Sequence, residues 1–235
     1  MLLFLSLALN CTSNAAETET DKWQFTISPY LWIASIVGST GAEGVDSGID
    51  TDYSFLSLDN LEGAFFIAAS ASKNQWTIQT DIVFLKFADE GDFDPFRANI
   101  DLDGHILELS GAYRPSSFEY TEVIFGLREV ALNLDVGLTP GPQGIQSKDW
   151  LDPLIGIRHV RALGERWQAR IRLDIGGFGV SSDLTYNGLL GADFNMTKHS
   201  SLFMGYRYLT LDFNEDGFLV DLTAEGLVLG VEFSF

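Results

Sequence analysis

Residues 225–235 read Glu-Gly-Leu-Val-Leu-Gly-Val-Glu-Phe-Ser-Phe, and the fold is decided on this stretch. In an extended chain successive side chains point to opposite faces. Leu227, Leu229, Val231, Phe233 and Phe235 therefore share one face, with Gly226, Val228, Gly230, Glu232 and Ser234 on the other. Two settings suit a strand that is apolar on one side and small or polar on the other: a soluble β-sandwich, and a membrane barrel with lipid outside. An aromatic residue at the very end of such a strand favours the barrel.

The same period of two continues upstream. From Trp23 onward the chain is a series of runs rich in Ile, Val, Phe, Leu, Tyr and Thr, separated by connections of two kinds. Short connections lie at Lys73-Asn74-Gln75, Pro115-Ser116-Ser117, Gly164-Glu165-Arg166 and Lys198-His199, and long or Gly/Asp-rich ones at 38–60, 89–97, 138–147, 180–183 and 212–217. Short turns on one side and longer loops on the other are the mark of an up-and-down antiparallel outer-membrane barrel, the short side facing the periplasm. The runs 22–37, 61–73, 76–88, 98–114, 119–137, 148–163, 167–180, 184–197, 200–213 and 218–235 make ten strands, an even number with both ends on the short-turn side. A hairpin hidden in the first loop would make twelve; eight is the other even alternative. Pro29 and Pro153 fall inside predicted strands and, lacking a donor, should mark bulges or weak pairings.

The totals agree with an all-β transmembrane protein. The chain has 235 residues, 46% hydrophobic, with 23 glycines, enough for one domain. Its longest apolar stretch is at the start, which reads as a signal peptide over 1–16 followed by the barrel domain over 17–235. Cleavage there would remove the single cysteine, Cys11, leaving no disulfide, thiolate metal site or cysteine nucleophile. No downstream segment has the eighteen or so apolar residues of a membrane helix. Trp23, Trp76, Tyr120 and Trp167 each begin a predicted ascending strand, the position of an interfacial aromatic girdle.

The face opposite the lipid gives the candidate site. It carries Asp81, Glu108, Arg114, Arg128, Asp152, Arg158, Arg170, Arg172, Asp174, Asp193, Arg207 and Glu232. Charges held away from bulk water need partners in good geometry, so an ion-paired network across the lumen is expected. One role for it is structural, filling the bore and excluding water. The other is a narrow polar pore, with Arg170, Arg172 and Asp174 on one strand as the selectivity lining.

The formal charge of −19 argues against nucleic acid as a partner. Acids gather in three long loops, with Glu43, Asp46, Asp50, Asp52 and Asp59, then Asp89, Glu90, Asp92 and Asp94, then Asp212, Glu215 and Asp216. Such a rim keeps loops solvated, or gathers divalent cations shared with lipopolysaccharide phosphates. No loop has the EF-hand spacing, so no metal ligands and no cofactor are assigned. Of the histidines His105, His159 and His199, only His105 has carboxylates close in sequence, Asp101 and Asp103. No nucleophile motif accompanies it, and no catalytic residue is assigned. Gly176-Gly177-Phe178-Gly179 lacks the lysine and helix of a phosphate loop and reads as a bend.

Trp23-Gln24-Phe25 with Pro29-Tyr30-Leu31-Trp32, Trp150-Leu151-Asp152-Pro153 with Gly156 and Arg158, the run 174–179, and Gly205-Tyr206-Arg207 resemble the landmarks of a family of small, uncharacterised, porin-like outer-membrane β-barrels. The resemblance implies fold and location: a multi-pass barrel in the outer membrane, in contact with lipid and lipopolysaccharide. Phe233 and Phe235 look like the terminal signal recognised by the barrel-assembly machinery. The leading functional expectation is a narrow channel or diffusion porin for small polar solutes. The alternative is a closed structural or surface-interaction barrel without transport, and the third is an enzyme with chemistry near His105.

Overall fold

A computed structural model describes residues 22–41, 53–54, 61–93, 96–139, 141, 143–215 and 218–235. The expected leader and most of the first loop, including Glu43, Asp46, Asp50, Asp52 and Asp59, lie outside them. Ten long strands follow one another up and down: β1 (Gln24–Gly41), β3 (Leu61–Lys73), β4 (Trp76–Phe93), β5 (Phe96–Tyr113), β6 (Thr121–Thr139), β7 (Gln143–Ala162), β8 (Trp167–Gly177), β9 (Leu184–Asn195), β10 (Ser200–Glu215) and β11 (Phe218–Ser234). A two-residue strand, β2 (Tyr53–Ser54), pairs with β1. Each long strand is antiparallel to its sequence neighbour, and β11 pairs with β1 to close the sheet. Closure reaches the last residue. The Phe235 N–H donates to the Phe25 carbonyl at 2.9 Å and the Phe25 N–H to the Phe235 carbonyl at 3.3 Å, so neither end of the sheet is left with an open edge.

Parity is as the terminal strand suggests. Leu227, Leu229 and Phe233 are exposed on the outer wall, whereas Val228 is buried inside. Trp23, Trp76, Tyr120 and Trp167 are all exposed on that wall at the short-turn end. Their placement rules out a core role. Trp76 packs on Tyr113 at 4.7 Å between ring centroids, and Trp167 on Phe194 at 4.9 Å, so the belt consists of cross-strand aromatic pairs.

Two expectations need correction. The connections at 89–97, 138–147 and 212–217 are largely ladder: β4 and β5 pair up to Phe93↔Phe96, β6 and β7 up to Gly137↔Gln143, β10 and β11 up to Glu215↔Phe218. Pairing satisfies backbone groups that a free loop would leave to water, and it carries acidic residues that strand propensity alone would reject. The run 167–180 ends earlier, at Gly177, because φ is positive at Gly177, Phe178 and Gly179. These turn the chain inward; a Cβ on Gly177 would lie 2.7 Å from the Ser182 carbonyl oxygen.

Of the two outcomes expected at the prolines, bulges or weak pairings, the ladders show the second. The β1–β3 ladder ends at Pro29↔Ile67, and the β7–β8 ladder begins at Leu154↔Gly176, one residue from Pro153. Each ring removes the donor the next rung would need. Among the described residues the register shifts between Leu61 and Gly63, on β3 against β4.

Candidate functional site: a lumen divided in two

All twelve charged candidates lie on the inward parity, and eleven of them are ion-paired. At the short-turn rim Glu122 receives Arg114 Nη2 at 3.0 Å and Arg158 Nε at 2.8 Å, and Arg158 Nη1 also donates to Gln79 Oε1 at 3.0 Å. Further in, Arg170 grips Asp193 with Nε at 3.2 Å and Nη2 at 2.9 Å, and Nη2 reaches Glu232 at 3.1 Å. The fork of two parallel bonds fixes the guanidinium plane as well as its charge.

The centre is a denser layer. Arg128 Nη2 donates to Glu108 Oε2 at 2.9 Å and to Asp174 Oδ1 at 2.6 Å. Arg172 spans the same two acids, with Nε on Asp174 Oδ2 at 2.8 Å and Nη2 on Glu108 Oε1 at 2.5 Å. Asn187 Nδ2 donates to Asp174 Oδ2 at 2.7 Å and its Oδ1 accepts from Arg207 Nε at 3.1 Å. Arg207 Nη1 then reaches Asp81 Oδ2 at 2.9 Å and the Tyr30 hydroxyl at 3.1 Å, while Tyr30 donates to Asp81 Oδ1 at 2.7 Å. Arg128 is 0% exposed, Glu108 1% and Asp174 4%, so water does not reach them.

Asp152 stands apart from the arginines. Its carboxylate accepts the Ser182 N–H at 2.9 Å, the Ser182 hydroxyl, and Trp150 Nε1 at 3.2 Å. The inward turn after Gly177 delivers that serine, fully buried. The run 176–179 thus works as a tuck that pins the β8–β9 connection to β7.

Above the charged layer the inward face becomes apolar. Trp32, Ala34, Phe66, Val83, Val130, Trp150, Leu209, Leu211, Phe213 and Val220 belong to one buried cluster, which continues past the boundary as Val228 and Phe203 on the wall of the vestibule. Phe213 stacks on Trp150 at 4.4 Å. Arg207 is the boundary between the regions: its polar edge serves Asp81, Tyr30 and Asn187, and its guanidinium lies over the Trp32 ring at 4.8 Å. The two side chains are 6% and 7% exposed. On the short-turn side of this boundary lies a polar vestibule of about 290 Å³, bounded by Tyr30, Asp81, Arg158, Arg170, Arg172 and Glu232; on the loop side lies an apolar cavity of about 80 Å³.

Sequence reading missed Glu122, Tyr30, Asn187 and the apolar cluster. Glu122 sits on the inward parity beside Ile124 and was legible there. The apolar lumen was also signalled, since continuing the Arg207 face upward gives Leu209, Leu211 and Phe213. His105 takes the parity of Leu107 and Leu109, which are exposed on the outer wall, and Asp101 and Asp103 share it. His159 also faces outward, its Nδ1 2.8 Å from the Thr121 hydroxyl, and His199 is exposed in a turn. The three histidines are not brought together. Among the residues described, no group of His, Cys, Asp and Glu has metal-binding geometry. The side chains of Asp89, Glu90, Asp92, Asp94, Glu215 and Asp216 lie outside the description.

No family model and no curated protein matches the chain. Solved structures do. The outer membrane protease OmpT from Escherichia coli aligns over 92% of this chain and 98% of its own, with 10% identity and a TM-score of 0.54. The attachment invasion locus protein Ail of Yersinia pestis aligns over 92% and 99%, with 13% identity and a TM-score of 0.44. Neisserial surface protein A aligns over 92% and 100%, with 14% identity and a TM-score of 0.38. At such identities a likeness carries fold and no activity. The OmpT overlap and the closed strand register together make this chain an all-β, antiparallel, up-and-down barrel of the outer-membrane type.

Proposed function

We propose that the protein is an integral outer-membrane barrel with a sealed lumen, serving a structural or surface-interaction role rather than passive diffusion. The observation that carries this reading is the Arg207–Trp32 boundary, which has an ion-paired layer with a fully buried Arg128–Glu108–Asp174 centre on one side and a packed apolar cluster on the other. A diffusion pore needs a continuous polar path that binds its solute weakly enough to release it. Here a polar solute leaving the vestibule would meet Trp32, Phe66 and Val83, all buried. The outward apolar face and the aromatic belt at the short-turn end support placement across a bilayer, with that end periplasmic. Phe233 and Phe235 supply the terminal signal for assembly. No catalytic role is assigned, because His105 and its acidic neighbours share the outer parity.

Planar-bilayer recording of the refolded protein tests this. Steady single-channel steps are not expected from the wild type, and their appearance at ordinary ionic strength overturns the sealed reading. A second reading, a narrow polar pore, is favoured by the vestibule and its three arginines, Arg158, Arg170 and Arg172. On that reading the ion-paired layer parts to conduct, and Arg170→Ala changes the ion preference of the steps.

A further inference from the structure

The apolar cavity is out of place in a barrel whose lumen is expected to be polar. Its lining includes Trp32, Phe66, Val83, Leu85, Leu222 and Ala224. Apart from Trp32, the one polar residue on this lining is His105, whose side chain takes the outer parity; that offers water no set of polar partners, and cavities of this kind stay dry and accept apolar guests. At about 80 Å³ it is smaller than the roughly 150 Å³ site that takes up benzene, which favours the tip of a flexible chain over a ring.

The wall beside it is incompletely zipped. β1 and β3 part after Pro29↔Ile67, and β1 next finds a partner at Ser35↔Ser54. Pro29 and Ser35 are six residues apart in sequence and their partners Ile67 and Ser54 thirteen, and β1 residues 30–34 and β3 residues 61–66 are not joined to each other by ladder bonds. Inside this seam stand Trp32, Ala34 and Phe66, which line the cavity. Outside it stand Leu31, Ile33 and Phe65, 60%, 38% and 54% exposed. Approach to the seam from outside therefore crosses only apolar surface.

We propose that the cavity is a binding site for the end of an alkyl chain, entering laterally between β1 and β3 from the hydrocarbon of the bilayer. The chain belongs to a membrane lipid or to a free fatty acid dissolved in the membrane; the chemistry is the same. The inference rests on the placement of the barrel in a bilayer, but not on whether the lumen conducts.

Bromine on an alkyl chain quenches a nearby indole. A variant in which Trp23, Trp76, Trp150 and Trp167 are replaced by Phe keeps Trp32 alone, and a companion keeps only Trp76 on the outer wall. Both are refolded into phospholipid bilayers brominated near the chain ends, and separately into unbrominated bilayers given a terminally brominated fatty acid. Quenching of Trp76 reports insertion. Quenching of Trp32 by at least twofold, abolished by the cavity-filling changes Ala224→Phe or Ala34→Leu, is the expected result. Response to the brominated phospholipid assigns the chain to lipid, and response to the fatty acid alone assigns it to the free acid. The proposal is overturned if Trp76 is quenched and Trp32 is not, or if Trp32 quenching survives in whichever filled variant folds. Failure to quench Trp76 instead removes the bilayer placement on which the proposal stands.

Discussion

The two halves of the lumen solve the same packing problem with opposite chemistry. Below Arg207 the bore is crossed, beside the vestibule, by charges that stay buried only because each has a partner: Arg128 and Arg172 together neutralise Glu108 and Asp174, and Arg207 meets Asp81. Above it the bore is filled by Phe213 on Trp150 and by Leu209, Leu211 and Val220, where contact area and not partner choice sets the energy. The first half should be brittle toward loss of one member and indifferent to coordinated replacement. The second should weaken in proportion to the volume removed.

The largest effect is expected from Arg128→Leu. It leaves Glu108 and Asp174 buried with one cation fewer, a change that costs about 3–5 kcal/mol when a buried pair is broken. Denaturant titration of the refolded barrel in lipid should show this as an early unfolding midpoint. Leu209→Ala, a truncation at a site 1% exposed, should cost about 2–4 kcal/mol through lost burial and the cavity left behind. If Leu209→Ala proves the more damaging of the two, the contrast between the halves is wrong.

Coordinated replacement sharpens the comparison. Arg128→Met and Arg172→Gln combined with Glu108→Gln and Asp174→Asn, which replaces both cations along with the two acids they share, should recover most of the loss of Arg128→Leu, within about 1–2 kcal/mol of wild type, since neutral substitutes carry no unpaired charge. The smallest effect is expected at Asp152→Asn, which retains an acceptor for Ser182 and should cost about 1 kcal/mol. Its signature is local: faster amide exchange at Ser182 and its neighbours in the turn, with the strands unchanged.

Much of this arrangement was legible in the sequence, for reasons that also mark where legibility stopped. Side-chain parity in a strand is strictly two, so one clear strand, 227–235, oriented the rest and placed all twelve charged candidates inward. Partner choice was not legible. Arg207 and Asp81 are 126 residues apart and Arg128 and Asp174 are 46 apart, and which strands face one another across the bore depends on stagger, which period two does not encode. On these two strands the apolar half carries no charge to mark it, since past Arg207 on β10 and Glu232 on β11 the inward face is uncharged as far as Phe213 and Val220. The same faces continue as Leu209, Leu211 and Phe213 and as Val228, Ala224, Leu222 and Val220. Gly226 shows another limit. A Cβ there would lie 1.9 Å from the Ile33 carbonyl oxygen, so only glycine allows β11 to close on β1, and that requirement appears only once the two ends meet.

The claim that joins these points is that Arg207 and Trp32 separate a wet compartment from a dry one. With Cys11 replaced by Ser, single cysteines at Ser70, which lines the vestibule, and at Ala224, which lines the apolar cavity, can be exposed to a small charged maleimide in the folded, lipid-embedded protein. The account predicts rapid labelling of Ser70→Cys and protection of Ala224→Cys until the barrel is unfolded. Comparable labelling at both positions in the folded protein would contradict it.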